Sequence, residues 1–461
     1  MIQSIDHAIL LPAYLAAGTA VLVFVADLVV PRRAVSLGLG VLGSLAVLVS
    51  AVRAPQGRRT FCLPEGCSYV YDKRAMVVAV AFAALTAAVL LLSATTKAEP
   101  GEYAFLLACS MTGGVVLGAA GDLITLIVGL ETLTLPLYAL VALRRGLKSA
   151  EGALSLFVVS VISTAVALFG AALVYATFGA VHLGKLATVV PTKQLTPVAT
   201  LGAVLLVAGL SFKVAAVPLH GWAPATYDGA PLPVTAYLST ASKLGGVFAL
   251  LLVSGALLEV RPTTRAALAV LAIATMTVGN LGALRQTRMV RLLAWSSIAQ
   301  AGYVLAALVV SGPAAVAYTL FFVIMEMVAF GVVIAARPDG DGGSVDDYRG
   351  LARRSPWLAG ALVVALAGLA GLPPGFAGLF AKVTVVKALV DGHWTWLAVI
   401  VVLNAVLALA YYVRVGAALF ADGERRAPRT SWPVAVGLAA AAAVALVVGF
   451  LPQWVLSAVG Y

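Results

Sequence analysis

Long apolar runs, separated by short polar segments, follow one another along the whole chain. Most runs reach the roughly 20 apolar residues with which a helix crosses the hydrocarbon core of a bilayer. Because lipid offers the backbone no hydrogen-bond partners, such runs predict helices. We therefore expect an all-α, polytopic membrane protein with about fourteen transmembrane helices. These spans are predicted at 8–30, 34–52, 75–96, 102–120, 122–143, 151–178, 197–219, 232–258, 266–284, 291–311, 313–336, 357–390, 394–420 and 432–456.

Two of the predicted spans are interrupted, which indicates backbone breaks inside the membrane. The seventh span runs into Pro218 and Pro224, and the twelfth contains the segment GLPPG at 371–375. Freed backbone groups are tolerated at that depth only where they face protein or a wet cavity. The two breaks are five spans apart, so equivalent helices of two such units run in opposite directions. This spacing predicts two inverted five-helix repeats, an arrangement whose broken helices mark the ion site in transporters.

The repeats divide the chain into four predicted parts. Residues 1–101 hold helices 1–3, and residues 421–461 hold helix 14. Between them, residues 102–259 form the first inverted repeat (helices 4–8) and residues 260–420 form the second (helices 9–13). Each repeat therefore contains one broken helix.

Charge is scarce, which excludes several classes of protein. Of the 461 residues, 62% are hydrophobic and 11% are charged, whereas an ordinary globular protein is about 25% charged. This excludes a soluble enzyme, a disordered chain and a nucleic-acid-binding module. The net charge of +11 fits basic residues that hold cytoplasmic loops in place. With both termini outside, the inner loops carry 16 Lys and Arg and the outer loops carry 9, which predicts this orientation in a bacterial-type plasma membrane.

The three cysteines indicate neither a disulfide-rich scaffold nor an iron–sulfur site. Cys109 lies in an apolar run, where packing is expected, whereas Cys62 and Cys67 share one polar loop. The predicted outer side of that loop is a compartment in which a disulfide between them would persist. The chain has no P-loop, GxGxxG turn, CxxC pair or HExxH helix in a suitable context. We therefore expect no nucleotide, haem, cluster or zinc site, and any redox chemistry must occur on another chain.

The few ionisable residues inside the predicted spans are the candidate functional groups. Each costs about 2.5–3.5 kcal/mol at the bilayer centre on insertion scales, so each is expected to be partnered or functional. Glu131, Lys213, Lys243 and Lys382 lie at mid-span or beside a break. Burial makes an ammonium release its proton more readily, and a nearby carboxylate opposes that release. These four residues are therefore predicted to form a proton relay.

Other polar residues accompany this candidate relay. Lys387 lies nearer the outer end of its span, where it is expected to snorkel to the interface. Glu326 and Arg414 are further charges within the spans. Several neutral or weakly basic groups either bridge proton transfer through water or only hold helices together. They are His220, Tyr227, Ser239, Ser242, Ser296, Ser297, Gln300 and Tyr303.

Several motifs carry a resemblance to a known family. They are GLETLTLPLYALVAL at 129–143, FKVAAVPLHGWAPATYDGAPLPVTAYLSTASK at 212–243, RLLAWSSIAQAGY at 291–303, DYRGL at 347–351 and GLPPGFAGLFAK at 371–382. Over most of 120–420 the chain resembles the antiporter-like membrane subunits of respiratory complex I. The stretch from Tyr227 to Pro231, together with Lys382 in the twelfth span, resembles the subunit N branch of that family.

The resemblance implies a proton-translocating subunit of NADH-quinone oxidoreductase, with helices 4–8 and 9–13 as inverted half-channels. It implies that Glu131 and Lys213 pair to modulate the proton load, that Lys243 connects the halves and that Lys382 gates exit. Glu151 matches a sixth-span glutamate, and His220 is a further relay candidate. FMN, iron–sulfur clusters and quinone are implied on partner subunits and no cofactor on this chain. The implied partners are other complex I membrane subunits, especially M-like and K-like neighbours.

Four departures from the family pattern leave alternatives open. Ser155 and Gln300 stand where the family often has a titratable lysine and histidine, and Glu326 adds an acid where an apolar or tyrosyl residue is common. A further departure is Ala225, which stands where the family usually has Asp. Besides the proton-pumping subunit, one alternative is a subunit of an Mrp-type sodium/proton antiporter or of a membrane-bound hydrogenase. Another is a structural subunit that has lost pumping.

Overall fold

The chain folds into a bundle of helices, seen in a computed structural model that describes residues 5–144, 146–191, 196–257, 262–338, 340–423 and 428–461. The α-helices are α1 His7–Val29, α2 Arg33–Arg53, α3 Lys73–Leu92, α4 Pro100–Gly118, α5 Leu123–Ala142, α6 Leu147–Phe178, α7 Leu183–Val189, α8 Pro197–Ser211, α9 Trp222–Gly229, α10 Leu232–Tyr237, α11 Lys243–Leu257, α12 Pro262–Leu284, α13 Met289–Leu308, α14 Gly312–Ala336, α15 Leu351–Arg354, α16 Pro356–Ala370, α17 Phe376–Asp391, α18 Thr395–Phe420, α19 Trp432–Phe450 and α20 Pro452–Val459. Short 3-10 turns lie at Ser93–Thr95, Phe212–Val214 and Val345–Tyr348, and a π-helical turn at Leu238–Ser242 joins α10 to α11.

Twelve helical segments of the described chain are long and apolar enough to cross a membrane. They coincide with twelve of the fourteen predicted spans, and the remaining two spans correspond to α13 and to the broken pair α16–α17. The polar side chains of α13 include Arg291 and Gln300, and α16 alone has only 15 residues. The prediction of an all-α, polytopic membrane protein is confirmed.

Two predicted spans end earlier than their hydrophobicity indicates. In the seventh span, regular α-helix stops at Ser211. A 3-10 turn follows and ends at Ala215, whose left-handed φ of 59° interrupts the helix. Pro218 then has no N–H with which to resume the helix. The fourteenth span, predicted to reach 456, is divided at Leu451, after which Pro452 opens α20. A proline suits the first position of a helix because its φ is already helical.

The polar loop that holds two of the cysteines is a β-hairpin, which the hydrophobic pattern did not predict. Strands β1 Arg58–Leu63 and β2 Gly66–Tyr71 pair antiparallel and bring Cys62 opposite Cys67. The sequence left open whether these two cysteines pair, and in the structure they form a disulfide. Hydrogen bonds from Val70 N to Ala119 O at 2.8 Å and from Asp6 N to Thr60 Oγ1 at 3.1 Å attach the hairpin to the bundle. We call this side of the bundle the hairpin end.

Ion pairs collect at the opposite side, which we call the arginine end. The buried carboxylate of Asp228 pairs with Arg288 at 2.7 Å and with Lys148 at 3.6 Å, and Arg144 donates to the Asp228 carbonyl at 3.2 Å. This end carries loops that the charge count places inside. Five residues of that charge count lie outside the described residues: Arg145, Lys193, Arg261, Arg425 and Arg426. The predicted domain boundary at 259/260 lies outside them as well.

The centre of the bundle is formed by α10–α11, α13 and α14. In the most apolar window of Leu232–Leu257 and in that of α14, 89% of the residues are buried, against 28% in α6. Helices α1, α2, α6 and α18 instead expose many large apolar side chains, as expected for helices that face lipid. A charged group on the central helices is therefore shielded from lipid, which is where membrane proteins place functional charges.

Candidate functional site

Glu131 and Lys213 form an ion pair in the first half of the chain. Lys213 Nζ lies 3.3 Å from Glu131 Oε1, and the lysine side chain is 4% exposed. The ammonium also donates to Thr134 Oγ1 at 2.7 Å and to Ser160 Oγ at 3.1 Å. Thr164 donates to the same Glu131 oxygen at 2.7 Å. The pair thus has an acid, a base and bridging hydroxyls within hydrogen-bond distance.

The break after α8 places Lys213 in this position. Because α8 ends at Ser211, Lys213 lies in the 3-10 turn that follows a helix C-terminus, where a cation is stabilised by unsatisfied carbonyls and the helix dipole. Gly246 on α11 permits the close approach of this turn. A Cβ at Gly246 would lie only 2.7 Å from Lys213 Cβ. The backbone of α11 therefore packs directly against the turn that carries the lysine.

Lys243 is the first residue of α11 and lies at the centre of the bundle. Its ammonium donates to the Ser297 carbonyl on α13 at 2.7 Å, and the residue is 2% exposed. The π-helical turn immediately before it inserts an extra residue per turn, and such turns are frequent at functional sites. Lys243 thus lies between the turn that carries Lys213 and the helices of the second half.

Lys382 on α17 binds the C-terminus of the other half of its broken helix. Its ammonium donates to the carbonyls of Leu369 and Ala370 at 2.9 and 2.7 Å and lies 5.0 Å from the centroid of the Tyr303 ring. These carbonyls are available because α16 ends at Ala370 and is followed by Gly371, whose φ is 85°. A Cβ on Gly371 would lie 2.5 Å from Lys382 Cδ, so the break and the lysine fit only with glycine there.

A chain of hydrogen bonds joins the surroundings of Lys243 to Lys382. Gln300 Nε2 donates to the Leu369 carbonyl at 3.0 Å, the same oxygen that accepts from Lys382. The Gln300 amide also donates to Tyr412 Oη at 3.1 Å, and Tyr412 Oη lies 2.5 Å from Ser296 Oγ. Ser296 directly precedes the residue whose carbonyl holds Lys243. Gln300 therefore occupies a bridging position although its side chain does not titrate.

Other residues of the predicted set lie apart from this row. Glu151 is exposed near the N-terminus of α6. His220 lies in the loop after the first break, where Nδ1 is 3.2 Å from the Pro218 carbonyl and the ring packs against Trp295. Lys387 is exposed on α17, and Arg414 donates to two carbonyls at the end of α12 and in the loop that follows it. The structure brings together Glu131 with Lys213 and connects the surroundings of Lys243 to Lys382 through hydrogen bonds.

Sequence reasoning missed several hydroxyl groups that contact the charges. Thr134 lies one turn from Glu131 on α5, and Ser160 and Thr164 share one face of α6, a spacing that indicates neighbours on a helix. Tyr318 of the next helix, α14, and Tyr412 of the distant α18 both bind Gln300, and no local signal identifies them. The described residues include no group of three or more His, Cys, Asp or Glu positioned to hold a metal ion.

Two cavities adjoin the row of charges. One, of about 520 Å³, runs between α17 and α18 and is lined by Lys382, Lys387 and Asp391 among apolar side chains. The other, of about 710 Å³, opens at the arginine end between the two halves. Its charged lining residues are Lys97, Glu99, Glu102, Arg144 and Arg337. The cavity at the arginine end has enough charged lining residues to hold water, whereas the cavity beside Lys382 is mostly apolar.

Comparisons with known proteins agree with this arrangement. The family model described as NADH:quinone oxidoreductase/Mrp antiporter, transmembrane, matches residues 120–408. The chain is 55% identical over 510 aligned residues to NADH-quinone oxidoreductase subunit N of Salinispora tropica, with 99% of each chain covered. A chain of respiratory complex I from Thermus thermophilus is 32% identical with a TM-score of 0.82, covering 97% of this chain and 99% of that one.

A third comparison concerns the fold alone. A chain of the Mrp complex from a Dietzia species has a TM-score of 0.85 at 21% identity, with 98% of this chain and 96% of that chain covered. The fold is thus common to both parts of the family, and the full-length identity distinguishes between them. This chain belongs to the NADH:quinone oxidoreductase/Mrp antiporter family of membrane proteins, in its subunit N branch.

Proposed function

We propose that this chain translocates protons as a membrane subunit of an NADH-quinone oxidoreductase, with Glu131, Lys213, Lys243 and Lys382 as the groups that carry the proton. The observation that supports this proposal is the set of three buried lysines inside the helical bundle, two of which lie at broken helices, with the partly buried Glu131 paired to one of them. A structural ion pair alone does not require four such groups, because each buried charge costs free energy. A relay does require them, since each group hands its proton to the next.

Electrostatic coupling between the groups supplies the physical basis for directed transfer. At 3.3 Å the attraction between Glu131 and Lys213 is about 5 kcal/mol at an effective dielectric constant of 20. A shift of the carboxylate away from Lys213 removes this attraction, and the lysine then releases its proton toward Lys243. The proton then passes to Lys382 through water and the hydroxyl groups of Ser296 and Tyr412, while the Gln300 amide holds the Tyr412 hydroxyl group in position. Residues 102–259 and 260–420 act in this proposal as inverted half-channels.

The driving redox reaction is assigned to other chains of the complex. FMN, iron–sulfur clusters and quinone bind there, and this chain supplies no redox site. Its neighbours in the membrane are M-like and K-like subunits. This assignment rests on the relatives, which are subunits of NADH-quinone oxidoreductase. The fold alone does not distinguish such a subunit from an Mrp antiporter subunit, because both have it. The antiporter alternative has less support, because the Mrp similarity is at 21% identity.

We further propose a plasma-membrane location with both termini on the outer side. The disulfide at the hairpin end supports an oxidising compartment on that side. Asp6 near the N-terminus pairs with Arg58 of the hairpin at 3.3 Å. Lys73, which follows the hairpin, donates to the carbonyl of Ser457 near the C-terminus at 2.6 Å. The two ends of the chain and the disulfide therefore share one side of the bundle.

Lysine substitutions in the assembled complex test the proposal. Lys213→Ala and Lys382→Ala should each reduce NADH-driven proton pumping by membrane vesicles at least fivefold, because each removes a proton-carrying group. Lys387→Ala is the matched control, an exposed lysine on the same helix as Lys382, and should pump at the parental rate. Parental pumping by both Lys213→Ala and Lys382→Ala would refute the proposed relay.

A further inference from the structure

Glu326 is a buried acid that the relay described above does not use. It lies in the middle of α14 and has no solvent exposure. Within the described chain, neither of its carboxylate oxygens has a hydrogen-bond partner. A buried ionised carboxylate without partners is expensive, so such a group either is protonated or has a role that repays its burial. Glu326 therefore calls for a functional explanation.

The groups that face Glu326 come from three other helices. α14 packs against α11, which begins at Lys243, and against the π-helical turn before it. Phe330, one turn beyond Glu326, contacts the Tyr227 ring of α9. Lys243, Tyr227 and Tyr412 of α18 are the groups whose charges act on the carboxyl group. Among the described residues, Lys243 donates to a single acceptor, the Ser297 carbonyl, and forms no ion pair with Glu326 within 4.0 Å. The buried hydroxyl groups of Tyr227 and Ser297 also lack a well-formed partner. An acid, an amine and two hydroxyl groups thus face one another with unused hydrogen-bonding capacity.

We propose that Glu326 is a further proton-carrying group, which exchanges its proton with Lys243 at the junction of the two halves. In this step the O–H bond of the Glu326 carboxylic acid breaks and an N–H bond forms on the neutral Lys243 amine. The products are a carboxylate and an ammonium, so the net charge of the pair is unchanged. The reverse step restores two neutral groups. This inference rests on the proposed function and assigns a second carboxylate to the relay.

The position of α14 indicates where such a proton would enter. Ile334, eight residues beyond Glu326 and therefore about 12 Å along the helix, lines the cavity at the arginine end. Between them, Phe330 packs against the Tyr227 ring with centroids 6.3 Å apart. This aromatic contact separates the charged cavity from the acid. Glu131 has the same spacing from Ala139 of α5, which lines this cavity too, so each acid lies about 12 Å along its helix from the cavity.

Conservative substitutions at Glu326 in the assembled complex test this inference. Glu326→Gln retains the shape but holds no exchangeable acid, and proton pumping should fall at least fivefold. Glu326→Asp retains an acid and should preserve at least one third of the pumping rate, with a shifted dependence on pH. Glu326→Gln that pumps at the parental rate, while Lys213→Ala fails, would show a structural role and refute the inference alone. Parental pumping by both Glu326→Gln and Lys213→Ala would refute the proposed function as well.

Assembly is measured separately so that a folding defect is not taken for a lost proton site. The quantity of complex is compared by NADH oxidation with a water-soluble electron acceptor, which does not require proton transfer through the membrane. If Glu326→Gln lowers that quantity, the Glu326→Asp complex decides the question. Its infrared difference spectrum should show a shifted band for a protonated buried carboxylic acid. An unchanged band, together with an unchanged pH profile of pumping, would overturn the inference.

Discussion

The contact between Gly246 and Lys213 allows the relay to be perturbed without removing any of its chemical groups. In Gly246→Ala the new Cβ would lie 2.7 Å from Lys213 Cβ and 3.0 Å from the Lys213 carbonyl carbon. Ordinary contact between carbon atoms begins at about 3.5 Å. The lysine turn must therefore move by about 0.8 Å to relieve the 2.7 Å contact. That movement lengthens the 3.3 Å ion pair with Glu131 and takes Lys213 out of hydrogen-bond range of Thr134 or Ser160.

The expected effect follows from these distances. Lengthening the ion pair by about 0.8 Å weakens its attraction by about 1 kcal/mol at an effective dielectric constant of 20, and one lost hydrogen bond adds about 1 kcal/mol. Both interactions favour the protonated form of Lys213, so a loss of about 2 kcal/mol lowers the ratio of protonated to neutral lysine roughly 30-fold, and Lys213 is loaded with a proton less often. We therefore expect NADH-driven proton pumping by membrane vesicles to fall at least fivefold.

The same helix offers a matched control for this prediction. Gly255, also on α11, has no atom within 4 Å of the methyl group that alanine would add there, so Gly255→Ala should pump at the parental rate. NADH oxidation with a water-soluble acceptor reports the quantity of assembled complex for both variants. Parental pumping by Gly246→Ala in a fully assembled complex would refute the reasoning that the position of Lys213 controls transfer.

Three further predictions concern other parts of the chain. Gln300→Leu removes two hydrogen bonds of the chain that leads to Lys382, at about 1 kcal/mol each, so pumping should fall about 30-fold; an unchanged rate would exclude this route. Gly371→Ala places a methyl group 2.5 Å from a lysine side chain at a φ of 85° and should lower the thermal unfolding midpoint of the complex. Gly360→Ala, on the α16 helix that Gly371 terminates, adds a methyl group with no atom within 4 Å and should not; equal midpoints would contradict the strain argument. Thiol labelling of the native, non-reduced protein should leave Cys62 and Cys67 unmodified, and reduction should expose both; labelling of both without reductant would disprove the disulfide.

Much of the helical architecture is predictable from the sequence, because lipid imposes one simple requirement on every span. A run of apolar residues must be helical, and a charge inside it stands out. This is why Glu131, Lys213, Lys243 and Lys382 are identifiable without a structure. The breaks are recognisable from the sequence as well, because clustered proline and glycine in mid-span indicate an interrupted helix.

The partners of these charges are less predictable, because they come from distant parts of the chain. Tyr412 is 112 residues from Gln300, to which it is hydrogen-bonded, and no local pattern connects the two. Ser160 and Thr164 are common residue types in membrane helices, so their contacts with the ion pair emerge only from the packing of α6. The hairpin was missed because its strands are short and its residues polar, which resembles a loop when hydrophobicity alone is considered.

The most direct test of the central claim is the proton flux through a complex that carries Lys243→Ala, because this residue lies where the two halves of the chain meet. Purified complex reconstituted into vesicles allows proton uptake and NADH oxidation to be measured together. If the buried row carries protons, this variant will pump at least fivefold more slowly than the parental complex, with the exposed-lysine variant Lys387→Ala pumping normally. A Lys243→Ala complex that pumps at the parental rate and with the parental number of protons per NADH would contradict the account.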